Sequence, residues 1–253
     1  MPRAETLLSA WKGRPLKLFV RPWRVSDDSV AREVLERRAY ERYGVKLAAC
    51  ALWLDVGAHI GTFALAAACE GCRVVAYEPH PENFKLLLRN LGRNRLQGQA
   101  ECHEAALLTD AAALAAGGEV PLHLAPRSTS FHSTRTPFKN GRWLPVRAQG
   151  LEAVLAARPD IDGVKLDCEG EEMPLLESLT SRTHGHLLRP LRQLVFEWDF
   201  KRDRSTARLL RVLRRLERRG FSVELSQKKV FRVAEWHYWP SGVLVYARRA
   251  RAR

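Results

Sequence analysis

Two short stretches place acids and glycines where apolar runs end. In WLDVGAHIG (53–61), Asp55 closes an apolar run and is followed by Gly57, His59 and Gly61. In VKLDCEGEE (164–172), Asp167 and Glu169 follow another such run, with Gly170 at the turn. Between them, Glu78 ends a third run in CRVVAYEPHP (72–81). A glycine turn after a strand lets backbone approach a ligand. A dinucleotide fingerprint needs GxGxxG, but His59 and Thr62 stand where its second and third glycines belong. A phosphate-binding P-loop needs a Gly-Lys-Ser/Thr ending, which the sequence lacks.

What remains is DxGxxxG, from Asp55, Gly57 and Gly61. An acid facing the bound molecule suits an ammonium or sulfonium better than a phosphate, and S-adenosylmethionine carries both. Glu78 follows about twenty residues later, the place from which an acid accepts ribose hydroxyls. The plainer alternative makes Asp55 and Glu78 ordinary strand-end polar residues. Their joint spacing in βαβ order favours the cofactor.

These residues need a sheet whose strand ends converge. ALWLDVG reads as a buried strand, GTFALAAACEG as a helix stopped by Gly71, and CRVVAYEP as a second strand. Pro79 and Pro81 open a helix through ENFKLLLRNLGRN, and AECHEAAL reads as a third strand. LEAVLAARP, GVKLDCEG, EEMPLLESL, RQLVFEWDF and RSTARLLRVLRRLERRG continue the alternation of helix and strand. FSVELSQ and GVLVYARR read as an antiparallel edge hairpin. The expected fold is α/β: a doubly wound, mainly parallel, Rossmann-like sheet with right-handed crossovers. Residues 1–45 read as an N-terminal extension capping a domain over 46–253. Residues 125–143 (APRSTSFHSTRTPFKNGRW) break the alternation, and a polar loop this long reads as a substrate-facing flap.

The combination WLDVGAHIGTFALAAACEGCRVVAYEPHPENFKLLLRNL and VKLDCEGEEMPLLES resembles the FkbM-type family of S-adenosylmethionine-dependent methyltransferases, within the class I methyltransferase fold. The family's DVGANIG is DVGAHIG here, its E-P-x-P is Glu78-Pro79-His80-Pro81, and its K-x-D-x-E-G-x-E is Lys165, Asp167, Glu169, Gly170 and Glu172. Arg21, Asp27 and Tyr40 match the family's lead-in. The resemblance covers most of residues 16–200 and departs at three points. His59 replaces the usual Asn, Leu151-Glu152 stands for Leu-Asp, and the basic helix and Arg-rich tail lie outside the pattern. It implies a cofactor site built from Asp55, Gly57, His59, Gly61, Glu78, Pro79, Glu104 and Ala105, the last two where class I enzymes contact adenine.

Methyl transfer needs an aligned nucleophile, exclusion of water and, for a hydroxyl acceptor, a place for the proton. Asp167 and Glu169 could supply a base, hold a metal or orient the acceptor, with Glu197 in VFEWDF a further candidate. A bare acid cluster capping a helix is the alternative. His80 reads as a turn residue and His103 as a packed one. No N-P-P-Y-like motif is present, so a hydroxylated small molecule or sugar is a better acceptor than a base's exocyclic amine.

Lys and Arg total 42 against 28 Asp and Glu, a net charge of +14. That excess suggests an anionic partner. Arg208, Arg211, Arg215 and Arg218 in the basic helix 204–219, with the tail RRARAR (248–253), read either as solvated surface or as a phosphate-binding stripe. Trp236 and Trp239 could stack on a base or sugar, or fill a core edge. Two rival functions follow: an RNA methyltransferase, or a non-catalytic basic subunit of a ribonucleoprotein or other large assembly. Five scattered cysteines make no disulfide framework, and the Cys69–Cys72 pair has no second metal-ligand pair. The expected setting is the reducing cytoplasm or an organellar matrix, with no metal, secretory signal or membrane span.

Overall fold

The computed structural model describes residues 5–21, 25–126, 128–139, 141–199, 205–226, 229–233 and 237–249. The chain opens with an antiparallel hairpin, β1 (Glu5–Trp11) and β2 (Arg14–Val20), then α1 (Val25–Ala31). The core follows: β3 (Leu52–Val56), α2 (Thr62–Cys69), β4 (Arg73–Tyr77), α3 (Pro81–Arg93) and β5 (Ala100–His103). Next come β6 (Ala106–Leu108), α4 (Asp110–Ala115), β7 (Glu119–Leu124) and β8 (Arg142–Gly150). Then follow α5 (Leu151–Ala157), β9 (Gly163–Leu166), α6 (Glu172–Leu179), β10 (Gln193–Asp199) and α7 (Thr206–Arg218). The last elements are β11 (Phe221–Leu225), β12 (Lys229–Val233) and β13 (His237–Arg249).

The main sheet has the order β11-β13-β10-β9-β3-β4-β5, with β12 added on β13. Its β10, β9, β3, β4 and β5 run parallel, and β13 pairs antiparallel with β10, β11 and β12. Strand order reverses between β3 and β9, the crevice where open α/β sheets bind ligands. Alternation along the strands covers both faces: Trp53, Val74 and Ala76 join one core, while Leu52, Leu54, Val75 and Tyr77 join the other. The first core also contains Trp11, Leu16 and Leu18 of the hairpin and Val34 and Leu35 after α1, and α2 packs inside it between the sheet and residues 32–36. That position explains why Phe63 to Ala68 are all buried, leaving α2 no polar face.

Two segments differ from the sequence reading. AECHEAAL is two strands: β5 ends the main sheet, the chain bends at Glu104-Ala105, and β6 joins a separate sheet of order β6-β8-β7. The flap is the far end of the β7–β8 hairpin. Its turn and proline content masks the alternation that would mark these strands. Trp236 lies outside the described residues, as does the side chain of Trp239.

Candidate active site

One open cleft of about 530 Å³, solvent at its mouth included, lies over the carboxyl ends of β3, β4 and β9. The flap forms its opposite wall. Of the residues expected to bind a cofactor, Gly57, His59, Glu78, Pro79 and Ala105 line it. Asp167 and Glu169 line it from the β9 side. Asp55, Gly61, Glu104 and Glu197 are not on its wall.

Gly57 sits at φ +81°, and a Cβ there would run into the backbone carbonyl of Asp167. Its bare backbone therefore lets the β3 and β9 loops abut, as the backbone bond from Asp167 N to Val56 O (3.1 Å) also requires. Gly61, at φ +87°, serves packing: a Cβ would meet the Leu87 side chain at 2.5 Å where α2 crosses α3. Asp55 is fully buried, and in the parallel register it lies opposite Lys165. Lys165 Nζ sits 3.0 Å from Asp55 Oδ1 and donates to the Gly57 carbonyl at 2.7 Å. Burial would discharge this lysine, but the charges of Asp55 and Asp167 keep its pKa raised. Asp55 thus holds the loop from beneath, through a cation supplied by the chain, where the sequence reading had it face a ligand cation.

Glu78 is buried at the end of β4. Its carboxylate accepts from His59 N (2.8 Å), His80 N (2.9 Å) and Asn83 Nδ2 (3.2 Å). Burial raises its pKa against these donors. A carboxylate offers about four acceptor positions, so the three bonds leave room for a ligand hydroxyl. His80 caps α3 by accepting from Asn83 N, and its ring lies 4.4 Å from that of His132 on the flap. His103 stacks on Tyr77 at 4.6 Å, a packing role. Glu104 is exposed at the β5–β6 bend, whereas the adjacent Ala105 is buried on the cleft wall.

On the β9 side, the Tyr40 hydroxyl donates to Asp167 Oδ2. Burial and the neighbouring Asp167 charge push the Tyr40 hydroxyl well above the usual tyrosine pKa, so it remains a donor. Glu169 adopts φ +61°, and its carbonyl accepts from flap Ser133 Oγ at 2.7 Å. Glu172 ties the turn together by accepting from Cys168 N (2.5 Å) and Gly170 N (2.8 Å). The sequence reading missed Glu171, which lines the cleft, accepts from flap Thr134 Oγ1 at 2.9 Å and lies 3.7 Å from Arg135. Burial raises its pKa. It stands at the variable position of the motif between Gly170 and Glu172, which hid it. Glu197, on β10, is half-buried beside β13, where its charge reaches Tyr40.

The methyltransferase FkbM domain family matches residues 55–223, well over half of the chain. The chain belongs to that family. The matched domain is an S-adenosylmethionine-dependent methyltransferase domain. A relative, the 31-O-demethyl-FK506 methyltransferase FkbM of Streptomyces tacrolimicus, is 42% identical over 72 residues, a stretch spanning 28% of each protein. The SAM-dependent methyltransferase from Agrobacterium tumefaciens shares the fold, with a TM-score of 0.52 at 11% identity over 99% of this chain and 72% of that one. Precorrin-6y C5,15-methyltransferase from Geobacter metallireducens GS-15 aligns over 85% of this chain and 88% of its own, with 15% identity and a TM-score of 0.43.

The FkbM-type cleft fits S-adenosylmethionine by its donor set. Glu78 keeps one acceptor position for a ligand hydroxyl. His59 Nδ1 is buried without a hydrogen-bond partner on a residue of the cleft wall, which suits the polar methionine end. The other two departures from the family pattern make contacts within the fold. Glu152 is buried and joins three segments, accepting from Asp110 N at 2.7 Å and from the Ser178 hydroxyl. The basic helix buries Leu209, Val212, Leu213 and Leu216 while Arg208 grips Glu177 (2.7 and 3.0 Å). Arg211, Arg214 and Arg218 remain exposed, and Arg215 is half-buried. In the tail, Arg249 donates to the carbonyls of Leu191, Leu188 and Arg219, and Arg248 to that of Tyr43. These two arginines bind the chain's own carbonyls; residues 250–253 lie outside the described set. Among the described residues no cluster of three metal-ligating groups occurs, and no helix is long and apolar enough to cross a membrane. Cys69 and Cys72 are free thiols, Cys72 donating to the Leu47 carbonyl at 3.3 Å.

Proposed function

We propose that this chain transfers a methyl group to a hydroxyl oxygen of a small molecule or sugar. The observation carrying this reading is that one cleft faces Glu78 toward a hydroxyl-rich flap and three β9-side carboxyls, Asp167, Glu169 and Glu171. Glu78 would hold the ribose, Gly57 and His59 the methionine end, and Pro79 and Ala105 the adenine side. When bound, S-adenosylmethionine supplies an electrophilic methyl on a positively charged sulfur. Because the electrophile brings its own charge, the protein's work is alignment, water exclusion and proton uptake. Thr129, Ser130 and Thr134 line the flap side and suit a hydroxylated acceptor. Asp167, held by the Tyr40 hydroxyl, orients the acceptor hydroxyl. Glu171, whose proton affinity burial raises, takes that hydroxyl's proton on its carboxylate. Glu197, off the cleft wall, is given no step.

The test is calorimetric titration with S-adenosylmethionine and S-adenosylhomocysteine, followed by labelled-methyl transfer to hydroxylated metabolites, sugars and structured RNA in parallel. Label on a hydroxyl of a small acceptor supports the reading. Label on RNA alone would overturn the acceptor class in favour of the exposed Arg211, Arg214 and Arg218 face. Absence of cofactor binding by folded protein would overturn the pocket assignment.

A further inference from the structure

Asp27 is the fully buried carboxylate at which three separate segments meet. From the end of β2, Arg21 donates its backbone N (2.9 Å) and Nε (2.8 Å) to one oxygen and a terminal guanidinium nitrogen (2.9 Å) to the other. From the flap, Thr129 Oγ1 donates to Asp27 Oδ1 at 2.7 Å. From the β3–α2 turn, His59 Nε2 lies 3.3 Å from the same oxygen and 3.1 Å from Thr129 Oγ1. Thr129 has a single hydroxyl hydrogen, and Asp27 receives it. The contact between His59 and Thr129 is therefore donated by the ring, so His59 carries a proton on Nε2.

These bonds close a ring through the candidate ribose acid. Arg21 donates to Asn83 Oδ1 at 2.7 Å, and Asn83 Nδ2 donates both to Glu78 (3.2 Å) and to the Thr129 carbonyl (2.9 Å). His59 N completes the ring on Glu78. The flap is thus bonded, through both the backbone and the side chain of Thr129, to the groups that shape the cofactor wall. Buried networks of this kind act as units, and removing one charged member disturbs the others.

We propose that Asp27 is a positioning residue that makes cofactor binding and flap closure one event. It holds the flap through Thr129, fixes the tautomer of His59, and thereby aims His59 Nδ1 and Glu78 at the ligand. The proposal rests on the reading of the cleft as the cofactor pocket. It gives the N-terminal segment outside the sheet a part in the site: Arg21 and Asp27 belong to the lid rather than to the chemistry.

The experiment uses the full chain and S-adenosylhomocysteine as probe, with Asp27→Asn, Thr129→Val and the double variant. Three quantities are read: the dissociation constant, hydrogen exchange of flap amides 128–139 with and without probe, and the imidazole nitrogen shifts of His59. The parent should show flap protection on binding and a single Nε2–H tautomer. Asp27→Asn should weaken binding about tenfold or more, remove the probe-dependent flap protection and mix the His59 tautomers. The double variant should be weaker than Asp27→Asn by no more than about twofold, because both changes cut one network. Should Asp27→Asn fail to fold, Thr129→Val, which keeps the Arg21–Asp27 pair, must still lose flap protection. Full flap protection and near-parental affinity in either folded variant, or fully independent effects, would overturn the proposal. A parent that binds no probe would instead overturn the pocket reading, a distinct result.

Discussion

Glu78→Ala is the sharpest test of the cofactor wall, because it should damage binding and stability by separable amounts. The substitution removes the acceptor of three donors, His59 N, His80 N and Asn83 Nδ2. An orphaned buried donor costs about 1–3 kcal/mol, and the low end applies beside an open cleft that water can enter, giving about 3 kcal/mol for the three. For a domain of this size that is a fall in Tm of about 6–12 °C. Loss of the one charge-assisted bond that its remaining acceptor position makes to a ribose hydroxyl, at about 1.5–3 kcal/mol, should weaken cofactor binding by about tenfold to a hundredfold. Thermal unfolding gives the first quantity and calorimetric titration with S-adenosylhomocysteine the second, at a temperature where the variant is fully folded. Glu78→Gln is the control: it keeps the volume, but its amide nitrogen must face one of the three donors. If Glu78→Ala bound the probe within threefold of the parent, the ribose assignment would be wrong even with the stability loss observed.

Other expectations follow from the same geometry. Lys165→Met leaves Asp55 as an unpaired buried charge and should destabilise the fold by about 3–5 kcal/mol, with Asp55→Asn in the same chain restoring most of it; chemical denaturation of the single and double variants measures both. Gly57→Ala drives a Cβ into the Asp167 carbonyl from a left-handed backbone and should cost about 2–4 kcal/mol, read from the denaturant midpoint; an unchanged midpoint would show that the loops can separate freely. Asp27 is pulled by burial toward a higher pKa, but its bonds from His59 and Arg21 hold it well below the ordinary 3.8. Its ionic stabilisation is therefore complete above that unfolded-state value and is lost as pH falls through the folded-state value, so acid titration of Asp27→Asn should show a shallower loss of stability than the parent. Arg208→Ala breaks a partly exposed pair with Glu177 and should cost no more than about 1 kcal/mol by thermal unfolding.

The strands around Asp55, Glu78 and Asp167 were legible because each is a short apolar run ended by an acid and a turn. Local chemistry sufficed there: Gly71 stops α2, and Pro81 opens α3. The flap was legible as an exception but not as a hairpin, since its strands are half-polar and their partners lie across a polar tip. AECHEAAL was read as one strand because nothing in eight residues says that the chain changes sheets at Glu104.

The candidate site divides the same way. Sequence by itself determined which residue types stand at the strand ends and hence the class of ligand, because strand, turn and helix signals act over a few residues. Only the tertiary structure decided which of those side chains meet the cleft. Asp55 faces Lys165 because β3 and β9, more than a hundred residues apart, pair in one parallel register. Glu171 reaches the cleft because the β9 turn bends against the flap, and Asp27 meets Thr129 and His59 behind the cleft wall because the N-terminal segment folds over them. Such contacts join residues distant in the chain, and no local preference encodes their register or direction.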